Sequence, residues 1–450
     1  MFRISKINAK MNIPYMPNFN DKFLVTLEKE FKVDYPKTNS TTYKSLVNYA
    51  SDLNLPIQRW YRYKEGYSIK LVDKILTKYN VKDGDLIVDP FCGSGSTLLQ
   101  AKINKCNSIG FEINPFSAFL AKVKTQDYKK QDMISFHENV SKLHNTKKRR
   151  NVDIPKLSTI EQLFKKDALF YLLTIKEEIK QIKNKKISNL IMLAWLGILE
   201  ESSNYRKAGN GLKIRKTIKK TIRDEEYVKK IFFNALKKIG EDLEFAINIS
   251  NQVSTSVIED TCFNLNKYTK KSSVKGVIFS PPYANCFDYT EIYKVELWMG
   301  SFVKEYSDLK ILRKRGIRSH LNGYEIESKI AVKSVPELGT LVTELSQKEL
   351  WDKRIPKMVE AYFNDMFHSL TEIYQALKKN GFCVIIVSNS AYGGIVVPTD
   401  LFLAKFARHL GFNVSSINVA RNIITSSQQY EETKKYGKYL RESIIYLEKK

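Results

Sequence analysis

Short apolar runs recur along the chain: "LIVDP" (86–90), "SIGFEI" (108–113), "TSVIED" (255–260), "GVIFS" (276–280), "FCVIIVSN" (382–389), "NVSSINVAR" (413–421) and "ESIIYLEK" (442–449). Runs of this length with little alternation read as strands buried on both faces. Between them the period changes to that of a helix. In "IQRWYRYKEGYSIKLVDKILTKY" (57–79), Ile69, Leu71, Val72, Ile75 and Leu76 fall on one face. Thr97 to Lys105 follows the first run as a second helix, and Pro115 opens a third in "PFSAFLAKVKT" (115–125). Strand, helix, strand, helix at this spacing is a βαβ unit, so the expected fold is α/β, with a doubly wound, mostly parallel sheet. The alternation then lapses. Residues 126–252 carry only helical patterns, exemplified by "NLIMLAWLGILEESS" and "EEYVKKIFFNALKKIGEDLEFAINIS". They are expected to form a helical insertion. The chain divides into an N-terminal arm (1–50), a core segment (51–125), this insertion (126–252), a second core segment (253–300), a basic loop insertion (301–354) and a C-terminal core segment (355–450).

The 74 Lys and Arg residues against 48 Asp and Glu give a net charge of +26. An excess of that size suits a polyanionic partner such as nucleic acid, and it also suits a genome rich in lysine codons. The cysteines (Cys92, Cys106, Cys262, Cys286, Cys383) form no C-x-x-C pair, and the five histidines lack zinc-ligand spacing. No structural metal is expected, and a reducing cytoplasm is. The N-terminal residues lack the apolar core of a signal peptide, and Leu190–Leu199 is too short to span a bilayer. A soluble cytoplasmic protein is expected.

Chemistry concentrates where strands end. In "VDPFCGSGSTLLQA" (88–101), Gly93 and Gly95 stand between a strand and a helix start, where a backbone without Cβ atoms turns tightly and admits a ligand. The loop lacks the Gly-Lys-Ser/Thr of a phosphate-binding loop and the G-x-G-x-x-G of a dinucleotide site. Glu112 closes the next strand, where an acid accepts hydrogen bonds from ribose hydroxyls. Asp260 closes a third and suits an adenine amino group, although Glu259 competes for that place. "GVIFSPPY" ends in two prolines, neither of which has a backbone donor. Such a corner presents acceptors, Ser280 Oγ and the Pro281 carbonyl, beside the flat ring of Tyr283. Taken alone, S-P-P-Y reads first as a rigid corner that closes a strand.

In order, "DPFCGSGSTLLQA…GFEINPFSAFLAKVKT" and "IED…GVIFSPPYANCFDYTEIYKVELWMG" resemble the bacterial site-specific DNA amino-methyltransferases. The resemblance extends from about residue 55 to 447. It implies a Rossmann-like methyltransferase fold and S-adenosylmethionine as cofactor. Asp89, Pro90, Phe91, Gly93 and Gly95 would hold the methionine part, Glu112 the ribose and Asp260 the adenine. Tyr67 and Ser68 would lie against the cofactor. Ser280, Pro281, Pro282 and Tyr283 would form the catalytic motif. A serine in its first position is usual for cytosine-N4 enzymes, and aspartate or asparagine for adenine-N6 enzymes. The chain departs from the family in two ways: Ser96 replaces the first threonine of the usual G-S-G-T-T, and the cofactor motif precedes the catalytic one. The second departure leaves adenine N6 open as the target. An RNA guanosine-N2 methyltransferase and a catalytically silent DNA-binding subunit are the other readings. No Pro-Cys dipeptide is present to serve as the nucleophile of cytosine-C5 chemistry.

Double-stranded DNA is the expected partner, with base flipping, and a restriction–modification role would add a cognate endonuclease. Two basic clusters are candidates for DNA contact: "SNYRKAGNGLKIRKTIKK" (203–220), with Arg206, Lys207, Lys213 and Arg215, and "KILRKRGIRSH" (310–320), with Arg313, Arg315 and Arg318. Either is equally read as a solvated surface run.

Overall fold

The computed structural model describes residues 19–36, 46–146, 152–209, 211–216, 221–321, 330–423 and 430–450. Its strands are β1 (Val33–Asp34), β2 (Leu86–Asp89), β3 (Asn107–Phe111), β4 (Tyr205–Ala208), β5 (Gly211–Ile214), β6 (Thr255–Ile258), β7 (Val274–Phe279), β8 (Leu377–Ser388), β9 (Ser390–Tyr392), β10 (Ile395–Val397), β11 (Phe412–Asn422) and β12 (Arg441–Lys449). Eight of them form one sheet in the order β1-β11-β12-β8-β7-β2-β3-β6. Every pair in it is parallel except the two made by β12, which lies antiparallel between β11 and β8. The chain runs outward from β2 through β3 to β6, then returns to place β7 on the other side of β2. This is the doubly wound, Rossmann-like α/β arrangement, and its switch point lies between β2 and β7. Ligand crevices form at such a point because the loops leaving adjacent strands diverge there.

The central strands bury both faces, so alternate residues feed separate cores. Ile278, Val384, Ile386 and Ile444 pack with Leu71, Val72, Ile75 and Leu76 of helix Ile69–Lys78. Val277, Phe279, Ile385, Val387 and Ile445 face the other way, onto Met358, Tyr362 and Phe363 of helix Ile355–Ala376 and onto Leu401 and Phe402. Helix Ile355–Ala376 and β8, which contains the 382–389 strand read from sequence, meet without a loop. Leu377 already pairs with Val274, and a register shift follows before Phe382 pairs with Gly276. Asn380 takes a positive φ within that bulge.

Residues 126–252 are largely helical as expected, with helices Lys130–His144, Lys166–Lys180, Lys185–Gly197 and Glu225–Asn248. They are no detached unit. Trp195, Leu172 and Phe232 share one core with Trp60, Tyr61, Phe116 and Tyr293. Asp242 fixes the join: it accepts hydrogen bonds from Ile57 N (3.0 Å) and Trp60 Nε1 (2.9 Å) and pairs with Arg59 (2.7 Å). Ile57 sits at φ +65°, a costly conformation for a β-branched residue, and its N–H is the one Asp242 receives. The basic stretch 203–216 contains an antiparallel hairpin, β4–β5. One expectation needs correction. The described part of the N-terminal 50 residues is no arm: helix Phe19–Glu28 packs into the core, and β1 adds an edge strand beside β11.

Arg441 and Asp400 are both wholly buried and pair at 2.8 Å, tying β12 to helix Thr399–His409. Arg441 also reaches Glu28 at 2.6 Å. Removing one partner strands a charge in the interior, so Asp400→Ala should lower the unfolding free energy by about 3–5 kcal/mol. Urea denaturation at constant m-value checks this, and a change below about 1 kcal/mol would contradict it.

Candidate active site

β2 ends at Asp89, and the chain turns through Pro90 and Phe91 into the glycine loop. Asp89 Oδ1 accepts Phe91 N (3.0 Å) and Oδ2 accepts the Tyr67 hydroxyl (3.0 Å). Burial pushes the Asp89 carboxyl up to about 7, against those hydrogen bonds. Gly93 takes φ +49° and Gly95 φ +82°, so both occupy the left-handed region that side chains avoid. A Cβ on Gly95 would also stand 3.0 Å from that of Ala121. Gly95 caps helix Ser96–Ile103. Cys92 is buried and sits where a Cβ on Gly110 would collide at 2.8 Å, so it packs the loop against β3.

Glu112 follows β3 and folds back over this loop. Its Oε2 accepts Gly93 N (3.0 Å) and its Oε1 accepts Asn114 N (2.7 Å). Burial pushes its carboxyl up to about 7; backbone N–H groups oppose the shift and Asp89 adds to it. Each oxygen keeps a lone pair for a further donor. Nearby, Asn114 Nδ2 is buried and finds no hydrogen-bond partner among the described residues. Asp260, after β6, accepts Thr261 N (2.8 Å), Asn264 Nδ2 (3.0 Å) and the Tyr268 hydroxyl (3.1 Å). Burial opposes ionisation there, but these bonds and Arg315 hold Asp260 below the usual carboxylate range.

β7 delivers Ser280 to Tyr283 to the same edge. Ser280 Oγ donates to the Tyr283 hydroxyl (3.3 Å), which donates to Glu442 Oε1 (2.6 Å). The corner is clamped from behind, because the Ala284 carbonyl accepts from Ser390 Oγ (2.6 Å) and the Tyr392 hydroxyl (2.9 Å). These groups enclose a single cavity of about 330 Å³. Phe91, Gly93, Glu112, Asn114 and Asp260 line one part of it, and Ser280, Pro281, Pro282, Tyr283, Glu442 and Arg421 another. Tyr67 and Pro90 reach it as well. Three sequence candidates stand behind its wall. Asp89 orients the loop, Gly95 caps the helix, and Ser68 caps helix Ile69–Lys78 while donating to Asp52 (2.6 Å).

The structure adds residues that the motifs did not flag. Glu442 and Arg421 come from paired strands β12 and β11. Tyr63 and Glu65 enter from the aromatic segment before helix Ile69–Lys78, with Tyr63 stacked on Tyr293 at 5.1 Å. Glu65 accepts the Tyr293 hydroxyl, and burial raises its carboxyl above the ordinary value.

The basic candidates separate. Arg206 and Lys213 lie opposite each other on β4–β5 and are exposed. Lys207 is a correction: it is buried, ion-paired to Glu296 (2.5 Å), and lies over the Tyr293 ring (4.3 Å). Arg215 is spent on the Ser203 and Glu200 carbonyls (3.1 and 2.8 Å). Arg313 pairs with Asp288 and Glu291, and Arg318 with Asp365. Arg315, at the cavity, donates to the Glu259 carbonyl (2.8 Å) and lies 3.5 Å from Asp260. Residues 210 and 217–220 lie outside the described residues. Among the described residues no cluster of His, Cys, Asp or Glu is placed to hold a metal, and no helix is long and apolar enough to cross a membrane.

Residues 15–123 match the family model described as DNA methylase. The chain is 28% identical to the Type II methyltransferase M.BsoBI of Geobacillus stearothermophilus, over 94% of this chain and 91% of that one. Its similarity is to the bacterial DNA amino-methyltransferases. M.AvaI, a Type II methyltransferase from a Nostoc species, is 24% identical over 88% of this chain and 87% of its own length. Over a short stretch, M.MjaII of Methanocaldococcus jannaschii reaches 46% identity, covering 15% of this chain and 12% of that one. The similarity to M.BsoBI and M.AvaI thus extends over most of this chain.

A carboxyl that binds protons more tightly folded than unfolded stabilises the fold at low pH and loses that contribution as pH rises. For Glu112 the window runs from the ordinary 4.5 to about 7. Wild-type protein should therefore lose unfolding free energy, on the order of 3 kcal/mol, between pH 4.5 and 7.5 relative to Glu112→Gln. Denaturant melts of the two proteins across that range check it; parallel curves would contradict the assignment.

Proposed function

We propose that the protein transfers a methyl group from S-adenosylmethionine to the exocyclic amine of a base flipped out of double-stranded DNA, and that the base is cytosine, modified at N4. The observation that carries this reading is the shared cavity: Glu112 with the glycine loop and S-P-P-Y open onto one space at the switch point. The free lone pairs of Glu112 suit a vicinal diol, and the unpartnered Asn114 Nδ2 suits an acceptor on the same ligand. When bound, S-adenosylmethionine supplies a methyl group already activated on a sulfonium.

The protein's part is orientation. An aromatic amine is a weak nucleophile because its lone pair is delocalised into the ring. Ser280 Oγ and the Pro281 carbonyl accept its two hydrogens, favour a pyramidal nitrogen, and stabilise the positive charge that develops there. Neither proline can offer an N–H that would compete. The Tyr283 ring gives the base a face to stack on, with the clamp on Ala284 holding the corner rigid. The serine in the first motif position supports cytosine over adenine. The exposed Arg206 and Lys213 on the hairpin suit the DNA phosphates, whereas Lys207, Arg215, Arg313 and Arg318 serve the fold. A restriction–modification setting accords with the Type II relatives.

Transfer of labelled methyl from S-adenosylmethionine into duplex DNA tests this directly. Wild-type protein should label DNA, and Ser280→Ala should lower the rate about 100-fold, the usual cost of losing one such hydrogen bond. Undiminished transfer by Ser280→Ala, or label entering tRNA and not DNA, would sink the reading. Arg206→Glu with Lys213→Glu should weaken DNA binding and flatten its dependence on salt. An unchanged salt slope in a filter-binding assay would remove the hairpin from the DNA surface.

A further inference from the structure

Glu442 is the second residue of β12 and stands beside Arg421 of β11, its partner in register. It is 3% exposed yet lines the cavity. One of its oxygens accepts the Tyr283 hydroxyl at 2.6 Å, and the other pairs with Arg421 Nε. Ser280 Oγ donates to that same hydroxyl at 3.3 Å. Each donor in this row faces the next acceptor, from the residue placed against the target amine to a buried carboxylate. The first link is long, as such links are before substrate tightens them.

We propose that this row is the proton exit of the reaction: Glu442 is the positioning residue that receives, through Tyr283 and Ser280, the proton the amine sheds on methylation. The inference rests on the function proposed above. The amine lone pair forms the new N–C bond as the C–S bond of the methyl donor breaks, and the bonding pair of that bond leaves with sulfur. The nitrogen, now positive, gives a proton to Ser280 Oγ. Ser280 passes its own proton to the Tyr283 oxygen, and Tyr283 passes its own to Glu442 Oε1. Both hydroxyls end neutral, the carboxylate ends as a carboxylic acid, and the sulfonium charge is cancelled. Serine alone is no base. Burial, with Glu442 beside it, raises the Tyr283 phenol well above its ordinary value, so a phenolate is no resting place and the proton must continue to the carboxylate.

Among the described residues the charged and titratable groups around the terminus are few. Arg421 faces Glu442 from β11, and Tyr283 faces it from the corner after β7, with Tyr289 next to Tyr283. Arg441, adjacent in sequence, turns the other way to Asp400 and Glu28. The Arg421 side chain is 36% exposed, which gives the proton a short route to water.

Single-turnover methylation of duplex DNA by the full chain, followed across pH, tests the relay. Wild-type rate should carry an acid limb, falling as the pH is lowered. Glu442→Gln keeps the shape and the acceptor for Tyr283 but cannot take a proton; its rate should fall at least ~100-fold and lose that acid limb, with cofactor and DNA affinities unchanged. Tyr283→Phe keeps the ring and cuts the row, and should lose rate to the same extent. Glu442→Gln at wild-type rate, or slowed with the acid limb intact, overturns the relay. If Glu442→Gln does not fold, Tyr283→Phe decides, and wild-type rate in that variant overturns the proposal. Wild-type protein that methylates no DNA defeats the functional reading itself, and the relay with it.

Discussion

The structure depends on the reversal of strand order at β2. Because β3 lies on one side of β2 and β7 on the other, the loops after β2 and β7 part and leave a crevice between them. The glycine loop turns sharply into its helix only because Gly93 and Gly95 accept left-handed backbone. Glu112 then reaches back from the neighbouring strand and receives Gly93 N. On the other bank, two prolines stop β7 from pairing further and turn its end over the same space. Sheet topology brings together two short motifs about 190 residues apart along the chain.

Holding that crevice open costs stability. Asp89 and Glu112 are carboxyls with raised proton affinity and, among the described residues, no cationic partner; backbone N–H groups and a tyrosine satisfy them. Such groups are tolerated where a ligand adds further donors. The cost is offset elsewhere by the cores on both faces of the sheet and under the insertion, and by buried ion pairs that lock the periphery. Asp242 welds the helical insertion to residues 57–60, and Arg441 with Asp400 fixes β12 behind the site. β12 therefore serves both ends of the account, with Arg441 facing the interior and Glu442 facing the cavity.

Much of this was legible in the sequence, for identifiable reasons. The buried strands announce themselves as short apolar runs, and the loop after β2 and the S-P-P-Y corner carry their chemistry in consecutive residues. Glu112 and Asp260 could be placed because each directly follows such a run. Glu442 and Arg421 could not. They lie 21 residues apart on antiparallel strands, and they meet only once the register is set. Lys207 misled for the opposite reason: its neighbours in sequence are basic, while its neighbours in space are Tyr61, Tyr293 and Glu296. In a strand, one exposed cation next to one buried cation is the ordinary consequence of period two, and charge counting cannot see it. Residues 33–34 escaped because a two-residue edge strand leaves no hydrophobic signature.

The central claim, that one cavity holds both the methyl donor and an extruded base, is tested most directly by a mass-spectrometric nucleoside digest of plasmid DNA treated with the protein and S-adenosylmethionine. The account predicts 4-methylcytosine. A 6-methyladenine product would leave the cavity and its chemistry standing and overturn the inference drawn from Ser280. An unmodified digest, with intact protein and competent cofactor, would contradict the account as a whole.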